Sequence, residues 1–210
     1  MLCPKCHQPL EGDEEYICCA NAVLAWRCTD CAKVSEGFAF PYGSCPHCGG
    51  RLEALETRPI EDAAALKAVR TAFEIELGGM AFYQKASVLT GDAMVKQLFA
   101  NLAYMEREHM TTLARRYHVE PPQPSQGLSI EVAALYAGVE SVPEDPANLF
   151  RIAIAFEERA AAFFADQGMA ADADSPAGRC YRELAAEERE HVAFLKTEYN
   201  RWKQGKPGLL

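Results

Sequence analysis

The sequence predicts a mainly α chain: a four-helix bundle preceded by a small cysteine-rich ribbon that holds metal. Three observations predict it. Glu-x-x-His occurs twice, at Glu106–His109 and Glu188–His191, each inside a long helical hydrophobic pattern. The two runs lie 82 residues apart, and the helix before each repeats at an offset of 81 residues. Eight of the nine cysteines fall within residues 1–58, in and around three Cys-x-x-Cys pairs.

Residues i and i+3 share one helix face, so each Glu-x-x-His presents a carboxylate and an imidazole together. Two such pairs on facing helices, with one further Glu from each of two other helices, form a carboxylate di-metal site. The internal repeat supplies the further acids. Aligning Ala72–Tyr83 with Ala153–Phe164 sets Glu76 on Glu157 and Tyr83 on Phe164. Periodicity separates these acids from their neighbours. Glu76 lies on the inward stripe Leu66, Val69, Phe73, Leu77, Met80 and Tyr83, whereas Glu74 points elsewhere. Glu157 lines up with Phe150, Ala153, Ala160 and Phe164, with Glu158 one step round. Glu106 and His109 accompany Leu98, Leu102, Met105 and Leu113; Glu188 and His191 accompany Tyr181, Leu184, Leu195 and Trp202. Buried carboxylates are costly unless paired or bound to a cation. Oxygen-rich ligation with two imidazoles suits iron or manganese better than structural zinc. The six residues should converge on two ions about 3.5–4 Å apart.

On these residues, positions 60–203 resemble the ferritin-like superfamily, and within it the rubrerythrins and bacterioferritins. The resemblance implies a ferritin-like bundle with two iron ions. Glu106 and Glu188 would bridge them; Glu76, His109, Glu157 and His191 would cap them. It implies an oxidoreductase acting on hydrogen peroxide or dioxygen, most directly a rubrerythrin-like peroxide reductase. A redox donor protein and a homodimeric state are implied in the same way. Tyr83 would hydrogen-bond a bound oxygen species, quench a stray oxidising equivalent, or simply pack in the core. One departure stands out. Rubrerythrins usually carry another Glu one turn along the third helix, where this chain has Ala160 and Ala161. The six-ligand set is closer to bacterioferritin, so ferroxidase chemistry with iron handling is the alternative activity.

Residues 1–58 form a separate object. Cys28–Cys31 and Cys45–Cys48 are two knuckles close enough to set four thiolates around one tetrahedral ion. Cys45-Pro-His-Cys48-Gly resembles the rubredoxin-like module of rubrerythrins, although Ala32 stands where rubredoxins usually have Gly. Either iron or zinc satisfies this donor set. Iron would pass electrons to the bundle; zinc would favour a zinc-ribbon interaction protein whose bundle is a scaffold. Cys3 and Cys6 are candidate ligands of a second zinc with Cys18 or Cys19, or with His7 as fourth partner. A disulfide framework suits a reducing compartment poorly. Cys180 reads as a small buried hydrophobe.

Net charge −9 argues against a nucleic-acid partner. The sequence has no long apolar run of membrane-spanning length and no secretory leader at its start, so a cytoplasmic location is expected. The expected domains are 1–58, where a metal supplements few apolar anchors, and 59–205, the bundle. The first helix should run about 61–89 and break at Thr90-Gly91-Asp92. Asp92 should cap the second, reaching about His118. Pro121–Gly127 cannot be helical and opens a long crossover, with a short helix near 129–139. Pro143 or Pro146 starts the third helix, to about Ala171; Ser175 and Pro176 start the fourth, ending by Gly205.

Overall fold

The computed structural model describes residues 24–37, 44–55, 60–122, 137, 138, 140, 142 and 144–209. Cys3, Cys6, His7, Cys18 and Cys19, and most of the expected short helix near 129–139, lie outside the described residues. The chain divides into two compact units, Met1–Thr57 and Arg58–Leu210.

The first unit contains a three-stranded antiparallel sheet ordered β2-β1-β3. Its strands are β1 (Leu24–Cys28), β2 (Val34–Gly37) and β3 (Leu52–Leu55). The central strand pairs Trp26 with Ser35 on one side and with Ala54 on the other. Arg27 and Glu53 are register partners, and their side chains form an ion pair of 2.6 Å. The sheet's task is positional. It ends β1 at Cys28 and carries the chain from Cys45 and Cys48 back into β3.

The second unit is built from four helices: α1 (Ala63–Leu89), α2 (Ala93–Tyr117), α3 (Pro146–Ala170) and α4 (Pro176–Lys203). Each begins at a side-chain cap that accepts an otherwise unpaired backbone N–H. Asp62 accepts from Ala65, Asp92 from Met94 and Val95, Asp145 from Ala147, and Ser175 from Gly178. Pro146, rather than Pro143, opens α3, and Pro176 opens α4, where a missing N–H costs nothing. His118 ends α2 in the left-handed region at φ 53°.

Two apolar clusters fill the bundle, one towards each end. The first gathers Phe82, Tyr83, Phe99, Leu149, Phe150 and Leu195. The second gathers Val69, Phe73, Leu113, Phe164, Tyr181 and Leu184. Their membership gives each helix a direction. Helices α1 and α4 run from the second cluster to the first; α2 and α3 run from the first to the second. Neighbours α1 and α2 are therefore antiparallel, as are α3 and α4, but α2 and α3 run the same way. The connection 118–145 has to join opposite ends of the bundle, a distance of about 37 Å for a 25-residue helix. Between the clusters, at the middle of all four helices, lie Glu76, Glu106, Glu157 and Glu188, each buried.

The turn between α3 and α4 is tight. A Cβ on Gly178 would land on the backbone carbonyl oxygen of Asp172, which cannot swing aside as a side-chain end can. Gly178→Ala should therefore destabilise the protein by about 1–3 kcal/mol, the range for overpacking. A denaturant melt followed by helical circular dichroism checks this; an unchanged midpoint would show that the turn yields freely.

Candidate metal centres

The ribbon site comes from two copies of one backbone device. The N–H of Ala32 donates to the carbonyl of Cys28, and the N–H of Cys28 to that of Lys33. In the second knuckle, Gly49 donates to Cys45 and Cys45 to Gly50, in the same order. Each knuckle turns on a residue with positive φ after its second cysteine: Ala32 at 62° and Gly49 at 80°. Gly50 is required for a different reason. A Cβ there would stand 2.6 Å from Asp30 Oδ2 and 2.8 Å from Cys28 Sγ. The second knuckle approaches the first too closely for any side chain.

The result is a four-sulfur cluster. Cys28 Sγ lies 3.5 Å from Cys48 Sγ, and Cys31 Sγ 3.8 Å from Cys45 Sγ. All four sulfurs lie within 4.8 Å of one another. A tetrahedral ion with bonds of about 2.3 Å to sulfur holds its ligand atoms about 3.8 Å apart, so the cluster has the size of a Cys₄ site. None of the four is in a disulfide. Burial disfavours the Cys28 thiolate, yet the backbone N–H groups of Cys31 and Asp30 outweigh it and pull the thiol down to about 7. Burial pushes Cys31 up to about 12. Four neighbouring thiolates cannot all ionise together without a cation at their centre.

The bundle site is a layer of two equivalent triads. His109 Nδ1 lies 3.7 Å from Glu76 Oε2 and 3.5 Å from Glu106 Oε2. His191 Nδ1 lies 3.5 Å from Glu157 Oε2 and 3.3 Å from Glu188 Oε2. The two imidazole rings stack with centroids 4.6 Å apart and 6° between planes. Ligand atoms of Glu106, His109 and His191, and of Glu157, Glu188 and His191, form compact groups of metal-binding size. All six predicted residues are thus brought together, while Glu74 and Glu158 are exposed, and Glu158 pairs with Lys196 at 2.6 Å. Tyr83 is buried beside the layer and donates its hydroxyl to Glu157 Oε1 at 2.5 Å.

The donor set fits cations on its own terms. Glu76 Oε2, His109 Nδ1 and His191 Nδ1 are buried atoms with no hydrogen-bond partner. Orphaned buried polar atoms are rare, and these three are of the kind that bind metal. The proton affinities tell the same story. Burial, reinforced by the Glu106 charge, pushes the Glu76 carboxyl well above the usual range. Burial likewise pushes Glu188 up to about 8. Burial disfavours charge on His191, but the Glu157 and Glu188 carboxylates overrule it and hold the imidazole protonated. Glu106 moves the other way: burial opposes its charge, but the neighbouring Glu76 carboxyl and the His109 and His191 imidazoles outweigh it and draw it to about 2. Protons do here what cations do when bound.

Sequence reasoning missed a second buried polar group. Tyr117 donates to the buried Glu183 at 2.8 Å, and Arg116 to Glu187 at 2.8 Å. Burial works against the Arg116 charge, but Glu187 keeps it. Cys180 lies in the adjoining apolar cluster, and burial pushes its thiol up to about 12, so it is inert. Nothing in the pattern marks Glu183, which stands among six other Glu or Arg residues from 179 to 190. Glu198 is also buried and accepts the backbone N–H of Leu209 at 3.0 Å.

No family model matches this chain, and no curated protein matches it. Among solved structures it is similar to a hypothetical protein from Pyrococcus furiosus, at 23% identity. The match covers 70% of this chain and 98% of that one, with a TM-score of 0.44.

Two outcomes follow from these geometries. Ala32 holds a left-handed conformation that costs a residue with a Cβ about 1 kcal/mol. Ala32→Gly should stabilise the metal-bound ribbon by about that amount, read as later metal release in a guanidinium titration; earlier release would contradict it. For the metal-free bundle, burial pushes the folded Glu188 carboxyl up to about 8, against an ordinary 4.5. The folded chain then binds more protons than the unfolded chain between those values, and stability falls as pH rises through them. Glu76 and His191, both raised, act in the same direction. Chelator-treated protein should melt at lower temperature near pH 8 than near pH 5, and metal loading should flatten that dependence. A metal-free protein that gains stability over this range would show that the layer carries no excess negative charge.

Proposed function

We propose that this chain is a non-haem di-iron redox protein, a rubrerythrin-like peroxide reductase whose Cys₄ ribbon delivers electrons. The observation that carries this reading is the pair of equivalent Glu, Glu, His triads converging in one buried layer. Six oxygen and nitrogen donors on four helices make the ligand set of a ferritin-like carboxylate di-metal bundle. Glu76, Glu106, His109, Glu157, Glu188 and His191 would hold two iron ions, and Cys28, Cys31, Cys45 and Cys48 a third. When bound, the ferrous pair supplies the two electrons that cleave the O–O bond of hydrogen peroxide.

The chain's own residues prepare that reaction. Apolar clusters flank the layer on both sides and lower the polarity around it, which strengthens the charge interactions within it. Tyr83 is kept protonated by burial and by the Glu157 charge, so it donates to Glu157 Oε1. Oε2 of the same carboxylate is left facing His191. His109 is the more open imidazole and marks the approach for a small substrate. Reduction of peroxide to two waters consumes two protons as well as two electrons, and the side chains of the layer are the nearest groups able to hold them.

Ferroxidase activity with iron handling is the second reading. Ala160 and Ala161, both buried, stand where an additional acidic ligand would favour rubrerythrin chemistry. Two variants separate the readings and the two centres. Glu106→Ala should abolish peroxide turnover and leave the visible spectrum of the ribbon intact, because the ligand sets share no residue. Cys45→Ala should leave one stoichiometric reaction of the reduced bundle with peroxide, but slow repeated turnover from an external donor at least tenfold. Unchanged steady-state turnover in Cys45→Ala would take the ribbon off the electron path. Structural zinc in the ribbon and ferroxidase chemistry in the bundle would then be preferred.

A further inference from the structure

The internal repeat supplies matching ligands from both halves, so any difference between the two cation positions has to come from what surrounds them. The surroundings differ in three respects, all in one direction. The first is a hydrogen bond. Tyr83 donates to Glu157 Oε1 at 2.5 Å, and the tyrosine is itself fixed by an edge contact to Phe82 and a stacked contact to Phe99. The residue related to Tyr83 by the repeat is Phe164, whose ring has no hydrogen to donate. Glu157 is held on one oxygen and presents the other. Glu76, its counterpart, keeps a buried Oε2 with no hydrogen-bond partner.

The second difference is packing room. Gly79 carries no Cβ beside the Glu106 carboxylate, where one would touch the carboxylate at 3.6 Å from its Cδ and the Phe156 ring at 3.5 Å, whereas the repeat sets Ala160 at the matching place. The third is access. The side chain of His191 is 14% exposed and that of His109 34%. The His109 triad is also the looser one, at 3.5 and 3.7 Å against 3.3 and 3.5 Å.

We propose that the two cation positions are unequal: the Glu157–Glu188–His191 position retains its ion, and the Glu76–Glu106–His109 position exchanges its ion with solvent. The physical basis is preorganisation. A carboxylate already fixed by a phenol loses less freedom on binding a cation, and removing such an outer partner typically weakens metal binding 10–100-fold. An open imidazole beside a carboxylate that no phenol holds gives a departing ion water ligands to leave with. This inference rests on the reading of the layer as a di-metal centre, and it names Tyr83 as the positioning residue that distinguishes the two ions.

The test is an anaerobic titration of chelator-treated full-length protein with Co(II), followed by calorimetry and visible absorption. Cobalt in the ribbon is told apart by its thiolate charge-transfer bands. The bundle should fill in two steps whose dissociation constants differ at least tenfold. Tyr83→Phe should weaken the tighter step by about tenfold and leave the looser one unchanged. His109→Ala should delete the looser step and keep the tighter. Two equal steps in the unmodified protein, no change in Tyr83→Phe, or loss of the tighter step in His109→Ala would each overturn the inference. Those results leave the di-metal reading standing, whereas a bundle that binds no cobalt overturns both.

Discussion

The bundle is organised by the cost of burying negative charge. Four glutamates occupy the centre of an interior whose two ends are apolar. Removing a carboxylate from water costs several kcal/mol even after relaxation, and attraction to neighbours repays it only in good geometry. Two imidazoles are the partners the layer itself contains, and their Nδ1 atoms point at carboxylate oxygens without reaching hydrogen-bonding distance. Gaps of 3.3–3.7 Å between imidazole nitrogen and carboxylate oxygen are longer than good hydrogen bonds and suit ligand atoms gathered round a shared ion. The apolar clusters serve that layer from both sides, because a dry site makes each cation worth more.

The same constraint explains the helix directions. Each half contributes one helix with a lone glutamate and one with Glu-x-x-His, joined by a turn at 90–92 or 171–175. A turn that short forces the two helices antiparallel. It also fixes the height at which the lone acid meets the pair, since both lie about four turns from the turn itself. The halves then meet chiefly through α1 and α4, which run the same way, as α2 and α3 do. That arrangement places His109 flat against His191, and it needs the long connection 118–145.

Much of this was legible in the sequence, for reasons specific to particular residues. Glu76 and Glu157 could be chosen over Glu74 and Glu158 because a 3.6-residue period separates adjacent positions by about 100°. Asp92 and Ser175 could be recognised as caps because short polar side chains followed by helical pattern have one local use. Glu183 and Glu198 were not legible. Each is buried by a partner that no local pattern announces: Tyr117 on another helix for one, the backbone of Leu209 for the other. The hydrogen bond from Tyr83 to Glu157 joins residues 74 apart. The repeat pointed to Tyr83 only by showing that Phe164 occupies its counterpart position. In the ribbon, Cys28, Cys31, Cys45 and Cys48 were read from spacing, whereas the doubled hydrogen-bond pattern of the knuckles is a property of backbone that no composition records.

Both centres are built from repeated halves, and in both the departures from repetition carry the chemical interest. In the ribbon, Ala32 and Gly49 occupy equivalent left-handed positions, but only the glycine does so without a steric cost. The first knuckle keeps its shape because the surrounding hydrogen bonds and the four converging sulfurs over-determine it. In the bundle, exact repetition would produce two identical cation positions with identical affinities. One phenol oxygen breaks that equality on one side, and one solvent-facing imidazole breaks it on the other. In the proposed di-iron reading, whether the site would act as a fixed redox pair or as a gate for iron depends on how readily one ion leaves. That rate is set less by the six ligands than by Tyr83, Gly79 and the exposure of His109, residues and properties that lie just outside the ligand set.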